Sequence, residues 1–500
     1  MLISRTTDVE PVNANIRLSA AAERQVCWQQ PSVVRAGVNQ SHLAISDAPS
    51  SRQSAFSFLV LGDTDAGLWG DHSSRDEVAA QSFSQQFAKQ VLAHSREHRF
   101  LLHTGDVAYP AGSYENYLTT FLRPYQDLLK RLPKHAFYRS DDVVFNRPLL
   151  AVPGNHDYAD DRGMRKLWQQ LLRKACDRLR QSLNIDLGHY GGQGGEAYGQ
   201  TFLDDLAKLS PEQLSRHLAL HYTAKVDSLS DDVCLNYQPG TFTRLPNRYY
   251  SFRYGGIDFF ALDSNTWKTD AMAPGFDQAQ LDWLEHSLMR SWNNPETMGR
   301  IIYMHHSPYT TESYHWQRPE TLWVRRHLRM VLDKVTRSGV APAGLPLVDL
   351  VISGHAHCLE HLKTTAIGHG DAGIDWVVCG GSGADVRRQR GGDDSILENV
   401  VCQGRMRTQM VAKSQFYAGR HGHSYKQQNF HSFIRVDVQP ERAQKITVCP
   451  FVVTPVNSSV YSSVYSTAGN RWQTKAIAPL SIGSLSISPE KTQPQKAVRV

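Results

Sequence analysis

Seven short apolar runs recur along the chain: FSFLVL (56–61), RFLLH (99–103), PLLAV (148–152), IDFFAL (257–262), RIIYM (300–304), LVDLVI (347–352) and DWVVC (375–379). Each is rich in Val, Ile, Leu or Phe and bounded by Gly or polar residues, the pattern of strands buried on both faces. Helical periodicity lies between several of them, at 77–92, 277–289, 322–335 and most clearly in MRKLWQQLLRKACDRLRQSL (164–183). There Met164, Leu167, Trp168, Leu171, Leu172, Ala175, Cys176, Leu179 and Leu183 share one face. The alternation of strand and helix predicts an α/β layered domain.

Residues 1–54 are polar and weakly patterned and read as an N-terminal extension. The predicted domain covers 55–454 and carries two long insertions, about 160–246 and 385–430. The first holds the Gly-rich stretch GHYGGQGGEAYGQ (188–200). From 455 the chain is rich in Ser, Thr and Pro and reads as a flexible tail.

Composition narrows the class. With 41% hydrophobic and 20% charged residues among 500, the chain reads as an ordinary globular protein. A net charge of +6 without a long basic run gives no sign of a nucleic-acid partner and is compatible with a small anionic substrate. The first thirty residues contain no apolar core of a signal peptide, and no later segment approaches a membrane span. Seven scattered cysteines without CxxC pairs suit reduced thiols, so the expected location is the cytoplasm. Nothing in the sequence speaks to oligomeric state.

Five of the runs end in the same manner: Gly62-Asp63-Thr64-Asp65, Gly105-Asp106, Gly154-Asn155-His156-Asp157, His305-His306 and Gly354-His355-Ala356-His357. In α/β sheets ligands bind at the carboxyl ends of the strands, so these groups are expected to converge. Carboxylate, amide and imidazole donors in this number exceed the needs of one tetrahedral zinc and suit two ions. A carboxylate between two such ions bridges them at about 3.5–4 Å.

This ordered set resembles the signature of the calcineurin-like metallophosphoesterases, over roughly residues 56–380, and NRYYSFRYGGIDFFALDSN and QLDWLEHSL look like the family too. The resemblance implies a two-sheet α/β sandwich with a dinuclear site at its edge. Gly105-Asp106-Val107-Ala108-Tyr109 matches the Gly-Asp-x-x-Tyr motif of the purple acid phosphatases, in which the tyrosine is a metal ligand. By that resemblance Asp63, Tyr109 and His357 hold the first metal, Asp106 bridges, and Asn155, His355 and His305 hold the second. Strand length and Tyr309 favour His305, while the His-x-Pro pattern read against Pro308 favours His306. Two carboxylates and a phenolate are hard donors suited to Fe(III); Asn and neutral imidazoles suit a divalent iron, zinc or manganese ion.

His156 resembles the histidine that contacts the phosphoryl group or leaving oxygen, with Asp157 orienting it, and His315 stands where further substrate-facing histidines occur. Asp65 is open to three readings: a hydrogen-bond acceptor behind the ligands, an extra ligand to the first metal, or a solvated turn residue. Downstream, Cys358-Leu359-Glu360-His361 departs from the Tyr-Glu-Arg run common in purple acid phosphatases. The implied activity is hydrolysis of small phosphate monoesters by hydroxide that the two ions supply. A phosphodiesterase acting on cyclic nucleotides or other diesters, and a non-catalytic scaffold of the same fold, are the alternatives.

Overall fold

The computed structural model describes residues 33, 37–47, 55–64, 74–94, 98–133, 138, 140–158, 195–206, 209–224, 233–265, 278–342, 344–383, 385–391, 394–402, 405–422, 428–439, 445–455 and 472–482. The helix expected at 164–183 and most of the Gly-rich stretch 188–200 lie outside them, as does Asp65.

Among the described residues the main sheets have eleven and seven strands. In the smaller sheet Phe56–Leu61, Leu101–His103 and Leu149–Ala151 run parallel, with Leu61 paired to His103 and His103 to Ala151. In the larger sheet Ile257–Leu262, Gly299–Met304, Leu350–Ser353 and Asp375–Cys379 run parallel, with Leu262, Met304, Ser353 and Val378 in register. This register brings the carboxyl ends of each set to a common level.

The apolar runs of these four parallel strands are continuous because each strand is covered on both faces. In Ile257–Leu262 all six residues are buried. Phe259 and Ala261 point into the core shared with the smaller sheet. Phe260 and Leu262 instead join Leu284, Leu288, Val324, Leu328 and Val331 from helices Gln278–Asn293 and Pro319–Arg337. That is the period-two consequence of a pleated strand.

The two sheets meet through aromatic rings. Phe58 stacks on Phe100 at 4.8 Å between centroids, and both stand edge-on to Phe259 at 5.5 and 5.6 Å. On the outer face of the smaller sheet, helix Ser74–Ala93 sets Phe87 edge-on to Phe433. The layers are helix, sheet, sheet, helix, the α/β sandwich that the resemblance implied.

Three segments expected to be an extension, an insertion and a tail extend the sheets. Val38–Ile45, from the supposed extension, is an interior strand of the large sheet, parallel to both Val233–Tyr237 and Tyr250–Tyr254. Its partners are about 200 residues away and its run holds Asn39, Gln40, Ser41 and His42, so no local apolar pattern marks it. The insertion after 385 forms the hairpin Ser395–Cys402 with Arg405–Ala418, the latter pairing with Leu359–Thr364. The C-terminal region supplies Trp472–Ala476 and Leu480–Ile482, both paired with Lys445–Pro455.

Phe58 is fully buried at the seam. Replacing it with Ala is expected to cost about 3–5 kcal/mol, read as a fall in the urea unfolding midpoint. A loss below about 1 kcal/mol would mean the ring is not held between the sheets.

Candidate metal centre

The strand ends release their side chains into one buried space between the two sheets. Asp63, Asp106 and His355 have φ of 56°, 52° and 66°, and they are the three non-glycine residues in the left-handed region among the described residues. Such backbone costs on the order of 1–3 kcal/mol per residue, and it collects at functional sites. Main-chain bonds lock the loops together: Asp63 N donates to Gly105 O and Thr64 N to Asp106 O. His355 N donates to Asp63 Oδ2 at 2.9 Å, and His156 N to Asp106 Oδ1 at 2.8 Å.

Two groups of donors share one atom, Asp106 Oδ2. Tyr109 Oη is 2.8 Å from it, 3.3 Å from Asp63 Oδ1 and 3.4 Å from His357 Nε2. On the other side His305 Nε2 is 3.4 Å from Asp106 Oδ2, 3.0 Å from Asn155 Oδ1 and 3.2 Å from His355 Nδ1. All seven candidate residues therefore come together, Asp63, Tyr109 and His357 on one side of Asp106 and Asn155, His305 and His355 on the other. Tyr109 is 1% exposed and its hydroxyl faces the carboxylates, so it is not a surface turn residue.

Backbone carbonyls aim the imidazoles. His305 Nδ1 donates to Thr104 O at 2.9 Å and His357 Nδ1 to Asp385 O at 2.7 Å. Each ring thereby presents Nε2 to the cluster, the arrangement that orients metal-binding histidines. His306, the rival of His305, has its Nδ1 paired with Ser264 Oγ at 2.9 Å, and its ring lies 4.3 Å from that of His355.

The charge balance favours cations. Burial first, then the charge of Asp106, lifts Asp63 well above the usual carboxylate range, with His305 opposing. Burial pushes Asp106 the same way, but His305 and His156 outweigh it and hold Asp106 well below that range. Burial lowers His305, yet Asp106 and Asp63 carry it up to about 9. His355 is driven well below its ordinary value by burial and then by His315 and His305. Two carboxylates, a phenol, an amide and three imidazoles thus face one buried space, and groups within this set could hold a metal ion.

The remaining candidates fall nearby. His156 Nδ1 donates to Pro110 O at 2.8 Å, its ring lies 4.3 Å from that of Tyr109, and its Nε2 is 3.9 Å from Asp106 Oδ2. The expectation that Asp157 orients His156 is corrected. The Asp157 carboxylate accepts from Gly154 N at 2.8 Å, Val107 N at 3.2 Å and Tyr117 Oη at 2.6 Å, knotting the second and third loops together. Burial, then Asp106, pushes Asp157 up to about 6. His315 lies with its ring 4.3 Å from that of His355 and 6.4 Å from that of His357, and its Nδ1 is 2.5 Å from Glu312 Oε2.

Several members of the site escaped the sequence. Thr104 and Asp385 act through carbonyls, which no side-chain motif reveals. Tyr117 and Glu312 follow no strand end, and their place shows only when helix and loop fold back on the centre.

The chain belongs to the calcineurin-like phosphoesterase family, whose model matches residues 56–359. Among solved structures it is similar to GAP50, the anchor in the inner membrane complex of Plasmodium, at 14% identity and a TM-score of 0.39 over 82% of this chain and 87% of that one. It is similar to purple acid phosphatase PPD1 from yellow lupin (Lupinus luteus) seeds at 13% identity and a TM-score of 0.40, over 81% of this chain and 53% of that one. It is also similar to PhoD at 13% identity and 0.40, over 89% and 75%. No curated protein matches its sequence.

Gly154 tests the packing of the centre. A Cβ there would lie 2.0 Å from Asp106 Oδ1 and 2.2 Å from Asp106 N. Gly154→Ala is expected to displace Asp106 and lower metal content below that of wild type, measured by elemental analysis of the purified folded protein. Full metal content would refute the close approach.

Proposed function

We propose that the protein is a dinuclear-metal phosphoesterase that hydrolyses phosphate monoesters of small molecules. The observation that carries this reading is the sharing of Asp106 Oδ2 by two donor groups, one around Tyr109 Oη and one around His305 Nε2. Asp63, Tyr109 and His357 would hold one ion, Asn155, His305 and His355 the other, and Asp106 both. The donor chemistry suits Fe(III) beside the phenolate and a divalent iron, zinc or manganese ion beside the imidazoles. Ions held there supply Lewis acidity and a water that ionises near neutral pH.

The chain's own residues do the rest. Thr104 and Asp385 fix the orientation of His305 and His357, so each Nε2 faces the cluster without reorganisation. His156, anchored by Pro110 through Nδ1, carries a proton at Nε2 to the departing alcohol oxygen. The site lies between the sheets with its ligands almost fully buried, which strengthens each of these interactions. Preference for monoesters rests on the Gly-Asp-x-x-Tyr resemblance. Among the described residues no helix is long and apolar enough to cross a membrane, and Cys358, Cys379 and Cys449 are free and buried. A reducing compartment, the cytoplasm, suits those thiols.

Asp106→Asn is expected to lose metal and turnover together. His156→Ala is expected to keep its metal and lose about 10²–10⁴ in kcat. Turnover of p-nitrophenyl phosphate exceeding that of bis(p-nitrophenyl) phosphate supports the monoester reading, and the reverse order makes the protein a diesterase. Metal-free protein inactive on both esters would make it a scaffold. Tyr109→Phe separates metal classes: a visible absorption band lost in the variant identifies iron bound to tyrosinate, and a colourless wild type excludes it.

A further inference from the structure

We propose a third cation site beside the dinuclear pair, built from His315, Glu320 and His355 and suited to a divalent transition ion of the zinc class. It rests on the reading of His355 as a ligand through Nδ1.

Ligand atoms of these three residues lie within 4.8 Å of one another. His355 Nε2 and Glu320 Oε1 are 3.7 Å apart, and both are buried without a hydrogen-bond partner among the described residues. Glu320 is 5% exposed and His355 7%. A carboxylate oxygen enclosed in this way is costly unless something positive meets it. His315 is prepared as a donor. Its Nδ1 faces Glu312 Oε2 at 2.5 Å, and the Glu312 carboxylate is held in turn by the backbone N–H groups of Tyr314 and His315. With the ring proton on Nδ1, the Nε2 lone pair is free, which is how a carboxylate readies a histidine for a metal.

The scaffold holds the three in place. Glu320 sits in the first turn of the helix Pro319–Arg337. His355 is fixed by its positive φ and by the bond from its N–H to Asp63. Two imidazoles and one carboxylate form the donor set that zinc uses when a fourth position stays open. His355 would be shared, Nδ1 to the dinuclear pair and Nε2 to the third ion. The neutral ring carries one N–H, and with both nitrogens serving as ligands that single proton leaves to solvent on binding.

The test is zinc stoichiometry. Chelator-stripped protein is titrated with Zn(II) alone by calorimetry, and zinc per chain is measured after gel filtration. Wild type is expected to hold three equivalents, and Glu320→Gln and His315→Gln two each. Wild type holding two, with both variants also holding two, overturns the third site and leaves the dinuclear reading standing. Three equivalents retained in both variants overturn the assignment of these residues. Wild type holding one or none overturns both readings. Should Glu320→Gln fail to fold, His315→Gln carries the test alone.

Discussion

The carboxylate of Asp106 is the junction on which the site depends. It follows the parallel strand Leu101–His103 with φ of 52°, takes the His156 N–H on one oxygen, and offers the other to two groups of donors at once. An anion in so closed a place is tolerable only with positive charge beside it. Within the protein that charge comes from His305, which Asp106 and Asp63 lift to about 9 against the effect of burial. The same arrangement that makes His305 hold a proton is what suits the centre to the metal cations proposed for it.

The sandwich exists to present that carboxylate. Two sets of parallel strands end at common levels, and the aromatic seam of Phe58, Phe100 and Phe259 fixes one sheet against the other. Loops leaving the strands are then tied together by Asp157, whose carboxylate collects N–H groups from Gly154 and Val107 and the hydroxyl of Tyr117. Glycines lie where no side chain fits, as at Gly154, whose Cβ would strike Asp106. Precision at the centre thus comes from groups that touch no substrate.

Much of this was legible in the sequence, because the chemistry is written in side chains at strand ends. Asp63, Asp106, Asn155, His305, His355 and His357 each follow a run whose burial on both faces shows as unbroken apolarity. Tyr109 was legible through its spacing from Asp106. Val38–Ile45 was not, since its register is set by partners about 200 residues away and its polar residues hide the strand. Asp157 was placed in the right neighbourhood with the wrong task, because adjacency to His156 says nothing about which backbone amides come within its reach.

By itself the sequence determined the layered α/β class, the identity of the donors and the order in which the chain delivers them. These follow from periodicity and residue chemistry, which are local. Tertiary structure decided which donors share an oxygen, that the His305 Nε2 lies among Asp106, Asn155 and His355, and that Glu320 and His315 are brought against the far side of His355. Those outcomes depend on distances between atoms whose residues stand tens to hundreds of positions apart, and only the packing of two sheets and their helices sets such distances.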